Sequence, residues 1–419
     1  MKFLNKFNIF RRLKEINHSQ FNVNNEKKSK GIILIEFNSF YILHIIFSYI
    51  SNFFRSKKNL QIKAYYSHVL LSYPIERSVK EKILSKLGQI FNLGFFGIYK
   101  SFGVKEFIFP RIDNEIKLKS KKYSNLILKS INFKKDILKI KISNLLVGDL
   151  IYDSYLTRNK QQKPTIDIKS EDFKIFLKNF LSLFFAWEKI FKINNVKVII
   201  CSHSIYTMGI PVRMALKKKA IGLLVRENKL KRLNRSNLEF FEETKKYPKI
   251  FNKFKNKKKK KYLKKAKSKL EKRFQGSSED IPYMTSSAFS SKYFKKKLFN
   301  NKSKKLKILI LPHSFIDAPH ISGNFSFADM KDWIEFLAEK SKKNKYDWYL
   351  KAHPKMGKKW AWYQEMTNNT IKELVSESNI KMLSPNTTHN QLIKNGIDII
   401  LTVYGSAAHE SPRNPRPHS

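Results

Sequence analysis

Three polar segments in the second half of the chain lie where an α/β fold can bind a ligand. Each follows a short apolar run of the kind that forms a buried strand. The residues singled out are His313, Ser314, Lys351, His353, Pro354, Tyr404, Gly405, Ser406 and Glu410. Open α/β sheets bind ligands at the carboxyl ends of their strands, so these segments predict one ligand site.

The segment 404–410 (YGSAAHE) has a specific physical use. Gly405 and the small residues after it are typical of a helix start, whose free backbone N–H groups can hold a diphosphate. Ser406 adds a hydroxyl, and Glu410 can accept hydrogen bonds from ribose or sugar hydroxyls. A simple N-cap with a buried glutamate explains the same residues equally well. His353, before Pro354, is likewise either catalytic or structural.

Other site chemistries find less support. His313, Asp317 and His320 have the residue types and spacing of zinc ligands, which keeps a zinc site as the weaker alternative. The single Cys201 excludes a cysteine-rich metal site and a disulfide framework. The sequence has no GxSxG, GxxxxGK[ST] or GxGxxG motif, which disfavours a serine hydrolase, a P-loop ATPase and an ordinary dehydrogenase. We therefore predict no metal and no cofactor.

Alternating strands and helices must position these segments. The predicted strands are 31–37, 61–65, 106–109, 196–201, 220–225, 306–311, 348–351, 380–383 and 397–403. The predicted helices are 40–54, 79–91, 171–193, one ending near 216, 330–343, 370–378 and 390–395. Residues 110–147 are interpreted as less regular, and 226–303 as helical and lysine-rich without strands. The alternation predicts an α/β fold with two Rossmann-like domains that face each other across a cleft.

We predict four parts of the chain. They are a basic N-terminal extension at 1–30, an N-terminal Rossmann-like domain at 31–228, a lysine-rich helical linker at 229–303 and a C-terminal Rossmann-like domain at 304–419. After Glu410 the tail contains three prolines, at 412, 415 and 417, which cannot continue a helix. We therefore expect the second domain to be truncated.

The composition is strongly basic. Among 419 residues, 84 Lys and Arg oppose 33 Asp and Glu, a formal net charge of +51, while 42% hydrophobic residues exclude a disordered chain. Nucleic acid, an anionic membrane and an anionic substrate all suit this charge, as does lysine spread without function. The sequence shows no nucleic-acid-binding module, so nucleic acid is disfavoured. The only dense basic block is 255–272.

The chain is predicted to stay in the cytoplasm. Its first residues are basic but lack an apolar signal-peptide core and a cleavage site. The lipophilic stretch 31–54 is interrupted by polar residues, which favours a buried strand followed by a helix over a membrane span.

Five segments resemble a known family. They are GDLIYDSYL and VIICSHSIYTMGIPVRMAL in the first half, with ILPHSFIDAPH, YDWYLKAHP and DIILTVYGSAAHE in the second. The family is the bacterial capsule polysaccharide biosynthesis glycosyltransferases of the GT-B fold, including Kdo-transferase-like and glycerophosphotransferase-like branches. The resemblance covers most of the chain from Gly31 onward. It implies transfer of a sugar, or a polyol phosphate, from a nucleotide-activated donor to a growing surface polysaccharide.

The resemblance also implies residue roles. The His353–Pro354 pair and the Gly405–Ser406 segment would contact the donor phosphates, with Lys351 neutralising their charge. A polysaccharide or lipid-linked acceptor would meet the first domain, and the candidate acceptor-binding residues there are Tyr152, Tyr206 and Arg213. An inverting transferase needs a general base, for which Asp153, in a candidate loop, and His203 are both suited.

The basic surface would then hold the enzyme at the anionic inner face of the membrane. Two alternatives remain open from the sequence. One is a non-enzymatic protein that binds nucleic acid or membrane on an α/β scaffold. The other is an inactive truncated remnant.

Overall fold

The computed structural model of this chain describes residues 2–21, 29–38, 41–66, 79–157, 164–226, 229–236, 238, 246–277, 299, 304–321, 325–352, 361–385 and 387–403. The chain divides into two units. Unit 1 comprises Met1–Arg158, Asp167–Thr244 and His320–Gly323. Unit 2 comprises Asn159–Ile166, Lys245–Pro319 and Asn324–Ser419.

Unit 1 is built on a six-stranded sheet. The strands of this unit are β1 (Ile32–Glu36), β2 (Gln61–Tyr65), β3 (Val104–Ile108), β4 (Lys141–Ile142), β5 (Leu145–Leu146), β6 (Val196–Cys201), β7 (Ile221–Arg226) and β8 (Lys229–Leu233). The sheet order is β3-β2-β1-β6-β7-β8, parallel except for β8, while β4 and β5 form a separate hairpin. The chain order reverses between β1 and β6, so that is the topological switch point where such sheets bind ligands.

Helices accompany this sheet. They are α1 (Lys2–Gln20), α2 (Tyr41–Lys58), α3 (Val79–Ile90), α4 (Gly94–Ser101), α5 (Asn114–Ser130), α6 (Gly148–Thr157), α7 (Glu171–Ile193) and α8 (Gly209–Lys217), with 3₁₀ turns at Lys134–Lys139 and Tyr206–Met208. All residues of β1 are buried, as expected of a parallel strand covered on both faces. Trp187 of α7 is fully buried and packs edge-on against Tyr65, with ring centroids 5.6 Å apart.

Unit 2 holds a smaller sheet of the same type. Its strands are β9 (Lys307–Ile310), β10 (Asp347–Lys351), β11 (Ile380–Leu383) and β12 (Ile399–Leu401), all parallel in the order β11-β10-β9-β12. Its helices are α9 (Tyr247–Asn252), α10 (Asn256–Phe274), α11 (Met330–Lys342), α12 (Ala361–Val375) and α13 (His389–Lys394). The switch point of this unit lies between β9 and β12.

The α/β prediction with two Rossmann-like domains is confirmed by these two sheets. The four predicted segments 61–65, 171–193, 196–201 and 380–383 match β2, α7, β6 and β11 residue for residue. The cleft and the four-part division of the chain stay predictions.

Four local predictions were wrong. The segment 110–147 is not irregular throughout, because it contains α5, whose buried positions are one isoleucine and two serines and so give a weak apolar pattern. The lysine-rich stretch after 226 contains β8, whose sequence KLKRL hides a strand because Lys231 is itself buried. The candidate loop that carries Asp153 is helix α6. The predicted helix at 370–378 begins earlier, at Ala361.

The lipophilic stretch near the N-terminus forms β1 and α2, as predicted. No helix among the described residues is long and apolar enough to cross a membrane. The polar residues that interrupt the stretch serve packing instead. Asn52, for example, is buried, and its side-chain amide donates hydrogen bonds to the carbonyls of Ser48 and Phe102, both at 2.9 Å.

Candidate functional site

Buried polar side chains occupy the switch point of unit 1. Glu36 ends β1, and its Oε2 accepts hydrogen bonds from the backbone N–H (2.5 Å) and the hydroxyl (2.8 Å) of Ser202, just after β6. The side-chain amide of Asn38 donates to Glu36 Oε1 and to Ser202 Oγ, both at 3.2 Å. Ser202 Oγ lies 2.8 Å from His203 Nδ1. We call Glu36, Asn38, Ser202 and His203 the switch-point network.

Two further buried side chains, Tyr99 and His44, form hydrogen bonds with the backbone of this network. The Tyr99 hydroxyl donates to the Glu36 carbonyl (2.7 Å) and accepts from the Asn38 N–H (2.9 Å). The His44 Nε2 atom lies 2.5 Å from the Asn38 carbonyl, so it is the donor of that bond. Burial lowers the pKa of His44 from 6.5 to about 4, although this hydrogen bond acts in the opposite direction. His44 is therefore neutral at pH 7.

The low pKa of His44 predicts acid sensitivity. Between pH 6.5 and 4 the unfolded chain binds a proton at this residue and the folded chain does not, so the free energy of unfolding falls as the pH falls. The full effect is about 3 kcal/mol. His44→Gln keeps a donor for the Asn38 carbonyl and should flatten this dependence. Urea unfolding followed by circular dichroism at pH 7 and pH 4 measures it, and equal slopes in both proteins would contradict the prediction.

A second polar cluster in unit 1 pairs Asp153 with His320. Asp153 Oδ1 lies 2.6 Å from His320 Nδ1, and the two side chains are only 4% and 5% exposed. The ring of Tyr152 packs against the His320 ring, with centroids 4.8 Å apart. Burial raises the pKa of Asp153 to about 6, against the opposing effect of the bond to His320. The Asp153 carboxylate is thus directed at His320.

The other predicted acceptor-binding residues are also buried. Arg213 of α8 donates to both carboxylate oxygens of Asp149, at 2.7 and 2.5 Å, and to the Leu146 carbonyl at 2.5 Å. Its guanidinium group therefore holds α8 against α6. Tyr206 has φ 53°, a left-handed backbone conformation that costs a bulky residue about 1 kcal/mol. Acceptor binding by Tyr152, Tyr206 and Arg213 stays a prediction.

In unit 2, three basic side chains converge beside the carboxyl edge of the sheet. Lys351 ends β10 and is 3% exposed, and burial lowers its pKa to about 8. Within the part of the chain that the structure describes, no hydrogen bond or ion pair reaches its ammonium group. Burial, and then the charges of Lys351 and Arg273, lower the pKa of His389 to about 3. We call Lys351, His389 and Arg273 the basic cluster.

Strand β10 and helices α10 and α13 position the basic cluster. Arg273 lies at the end of α10, and the carbonyl of the next residue, Phe274, accepts a hydrogen bond from Asn390 Nδ2 at 3.1 Å. This bond fixes the end of α10 against α13, which begins at His389. The cluster thus joins the end of β10 with two helices.

Two of the remaining predicted donor residues, His313 and Ser314, lie among the described residues. Ser314 is buried and His313 half-buried after β9, where His313 Nδ1 lies 3.4 Å from the Ser314 carbonyl. The other predicted donor residues, His353, Pro354, Tyr404, Gly405, Ser406 and Glu410, lie outside the described residues. Among the described residues, no three His, Cys, Asp or Glu side chains form a metal site, and this includes His313, Asp317 and His320.

No family model and no curated protein matches this sequence. Among solved structures, the UDP-GlcNAc 2-epimerase from Neisseria meningitidis bound to UDP-GlcNAc is similar, with 10% sequence identity over 91% of this chain and 79% of that chain, and a TM-score of 0.21. At a TM-score of 0.21 the two structures do not superpose well enough to indicate a shared function.

Sequence reasoning missed several members of these clusters. Glu36 and Asn38 could have been found from the sequence. Glu36 is a polar residue at the end of an otherwise apolar strand, Asn38 follows it closely, and Ser202 follows the neighbouring strand β6. Arg273 and His389 could not have been found, because each lies on a helix far in sequence from Lys351.

Proposed function

We propose that this chain is a glycosyltransferase that passes a sugar, or a polyol phosphate, from a nucleotide-activated donor to a growing surface polysaccharide. The observation that carries the proposal is the basic cluster. Lys351 brings a positive charge into a buried position at the carboxyl edge of a parallel sheet, where such folds bind ligands. An anionic ligand is what makes a buried ammonium group favourable. The diphosphate of a nucleotide donor is such a ligand.

The energetics support an anion at this position. The pKa of Lys351 falls from 10.5 to about 8, which means that burial disfavours the charged ammonium form by about 3 kcal/mol when no anion is bound. A bound diphosphate offsets this cost by direct ion pairing with Lys351, and Arg273 adds a second positive charge. The cluster also meets the chemical demand of the reaction, because negative charge builds on the leaving diphosphate as it departs.

The transfer itself forms one bond and breaks another. The acceptor hydroxyl oxygen bonds to the anomeric carbon of the donor, the bond from that carbon to the diphosphate oxygen breaks, and the diphosphate leaves with the electron pair. In polyol phosphate transfer the attacked atom is phosphorus, and the nucleoside monophosphate leaves. In both, the hydroxyl proton moves to a general base.

We assign the base to His203. Its ring is half-buried at the carboxyl end of β6, at the switch point of unit 1. Asp153, the alternative, is 4% exposed at its side chain and already bonded to His320. Asp153 would therefore act on a substrate only through that histidine.

The experiment that tests the proposal is a thermal-shift panel on the full chain with CMP, CDP, UDP and their sugar and polyol conjugates. We expect saturable stabilisation by one nucleotide series, since a ligand that binds only the folded state raises its unfolding temperature. Stabilisation by none would overturn the proposal. Retention on DNA with a steep salt dependence in the same preparation would favour a nucleic-acid-binding protein instead.

The site of membrane attachment that we propose is α10. This helix carries ten lysines and Arg273 against one acidic residue, and none of its residues is buried. Anionic lipid attracts each such lysine with about 1 kcal/mol. This charge supports the proposal of a peripheral location at the inner face of the membrane.

Vesicle binding gives the corresponding prediction. Changing Lys257, Lys260, Lys264 and Lys267 to glutamate should weaken binding to phosphatidylserine vesicles more than about a hundredfold in co-sedimentation. The matched control changes four exposed lysines of α5, Lys117, Lys121, Lys122 and Lys129, and should have a small effect. Equal losses of vesicle binding in both variants would contradict a membrane role for α10. Wild-type binding that is insensitive to 0.5 M salt would also contradict it, because salt screens interactions between charges beyond about 10 Å at 0.1 M and more strongly at higher concentration.

A further inference from the structure

We infer that Glu36, acting through the hydroxyl of Ser202, fixes the proton of His203 on Nδ1 and so makes Nε2 its accepting nitrogen. Glu36 and Ser202 are then positioning residues for the base. The direction of the hydrogen bonds follows from the switch-point network alone, whereas the role of His203 in proton transfer rests on the proposed function.

The Ser202 hydroxyl has a single proton to donate. Three donors converge on the Glu36 carboxylate, namely the Ser202 N–H, the Ser202 hydroxyl and the Asn38 amide. A carboxylate that faces three donors accepts all three hydrogen bonds. The Ser202 proton is therefore committed to Glu36 Oε2, 2.8 Å away.

The remaining bonds of Ser202 Oγ must then be accepted ones. The Asn38 side chain is oriented by Glu36, because only its NH₂ group can face a carboxylate, and the same group reaches Ser202 Oγ at 3.2 Å. The other neighbour of Ser202 Oγ is His203 Nδ1 at 2.8 Å. With no proton left on the hydroxyl for this contact, Nδ1 must carry the hydrogen. In the neutral ring Nε2 then holds the lone pair.

The surrounding packing makes this arrangement rigid. Glu36 and Ser202 are each 1% exposed, and Asn38 is 3% exposed. The Tyr99 hydroxyl bridges the backbones of Glu36 and Asn38, which fixes the carboxylate relative to the amide. A buried network in which each group has its partner holds one tautomer far better than exposed groups do.

This arrangement suits a base. When Nε2 takes the acceptor proton, the ring becomes an imidazolium whose Nδ1–H still donates to Ser202, one hydroxyl away from the negative charge of Glu36. The carboxylate thus stabilises the charge that forms during proton transfer, as the buried aspartate does in hydrolase triads.

Nitrogen-15 NMR of the full chain with labelled histidine tests this at pH 7, because protonated and unprotonated ring nitrogens resonate far apart. The His203 signals are assigned by their loss in His203→Gln. We expect wild-type His203 to carry its proton on Nδ1. Ser202→Ala removes the acceptor, so His203 should switch to the Nε2–H form that a free imidazole side chain prefers. In Glu36→Gln the new amide can donate to Ser202, which frees its hydroxyl proton for Nδ1, and the same switch is expected.

Ser204→Ala is the matched control. Ser204 is equally buried two residues away, but its hydroxyl donates to the Leu238 carbonyl. The control should retain the wild-type tautomer. A wild-type His203 with its proton on Nε2 overturns the inference, as does an unchanged tautomer in both folded variants. The wild-type spectrum decides the bond direction even if a variant does not fold.

These outcomes are separate from those of the nucleotide panel. The tautomer is read in the absence of any nucleotide. Nucleotide stabilisation with an Nε2–H wild-type ring would leave the proposed function standing and remove this inference. An Nδ1–H ring with no nucleotide response would do the reverse.

Discussion

Replacement of Lys351 by methionine is expected to abolish stabilisation by nucleotide and, in the same protein, to raise the stability of the empty form. Methionine has nearly the same length and shape but no charge, so it suits the buried position better than an ammonium group does. The gain should approach the roughly 3 kcal/mol that burial now costs the lysine. Differential scanning fluorimetry with and without the nucleotide measures both effects.

The pH dependence of the free energy of unfolding tests the burial of Lys351 independently. The folded pKa of Lys351, about 8, lies below the unfolded value of 10.5, so between these values the unfolded chain binds more protons. Wild-type stability should therefore rise by a contribution from Lys351 as the pH increases from 8 to 10.5, and Lys351→Met should lack this contribution.

Lys381→Met serves as the matched control for Lys351→Met. Lys381 lies on the neighbouring strand β11 but is exposed. Its replacement should leave nucleotide binding and the pH dependence unchanged. Full nucleotide stabilisation in Lys351→Met would show that the basic cluster is not the donor site.

The fold was accessible from the sequence because parallel strands covered by helices are apolar along their whole length. β6 (VKVIIC) and β11 are bounded by polar residues, so their ends could be predicted to the residue. β8 could not, because it is an antiparallel edge strand whose buried positions include a lysine. α5 was missed for a similar reason, since its buried side chains are mostly serines.

The candidate site was accessible only where its chemistry is local. Lys351 ends β10 and His203 closely follows β6, and both were predicted from those positions. The groups around them come from distant parts of the chain. Glu36 reaches His203 through Ser202, Arg273 and Lys351 both act on His389, and nothing in the spacing links these residues. The pairing of Asp153 with His320, 167 residues apart, shows the same limit. Two residues considered separately, one as a base and one as a zinc ligand, prove to be bonded to each other.

The buried Asp153–His320 pair is expected to stabilise the fold. Asp153→Ala removes one partner of a buried, hydrogen-bonded pair, and such changes typically cost about 3–5 kcal/mol in free energy of unfolding. Asp153→Asn retains the shape and a hydrogen-bonding oxygen, so it should cost less than half as much. Urea unfolding at pH 7 measures both. If Asp153 were instead an exposed base waiting for an acceptor, its removal would change stability by less than about 0.5 kcal/mol.

A double-mutant cycle separates the pair from its surroundings. The double variant Asp153→Ala/His320→Ala should lose at least about 1 kcal/mol less free energy of unfolding than the two single variants lose in sum. Each single change already breaks the hydrogen bond between the two residues, so the loss of that bond is counted only once in the double variant. Strictly additive costs would mean that the 2.6 Å contact contributes nothing. Coupling of this size would identify Asp153 as a residue that fixes His320 within unit 1. It would also leave His203, whose Nδ1 is engaged by Ser202, as the candidate base.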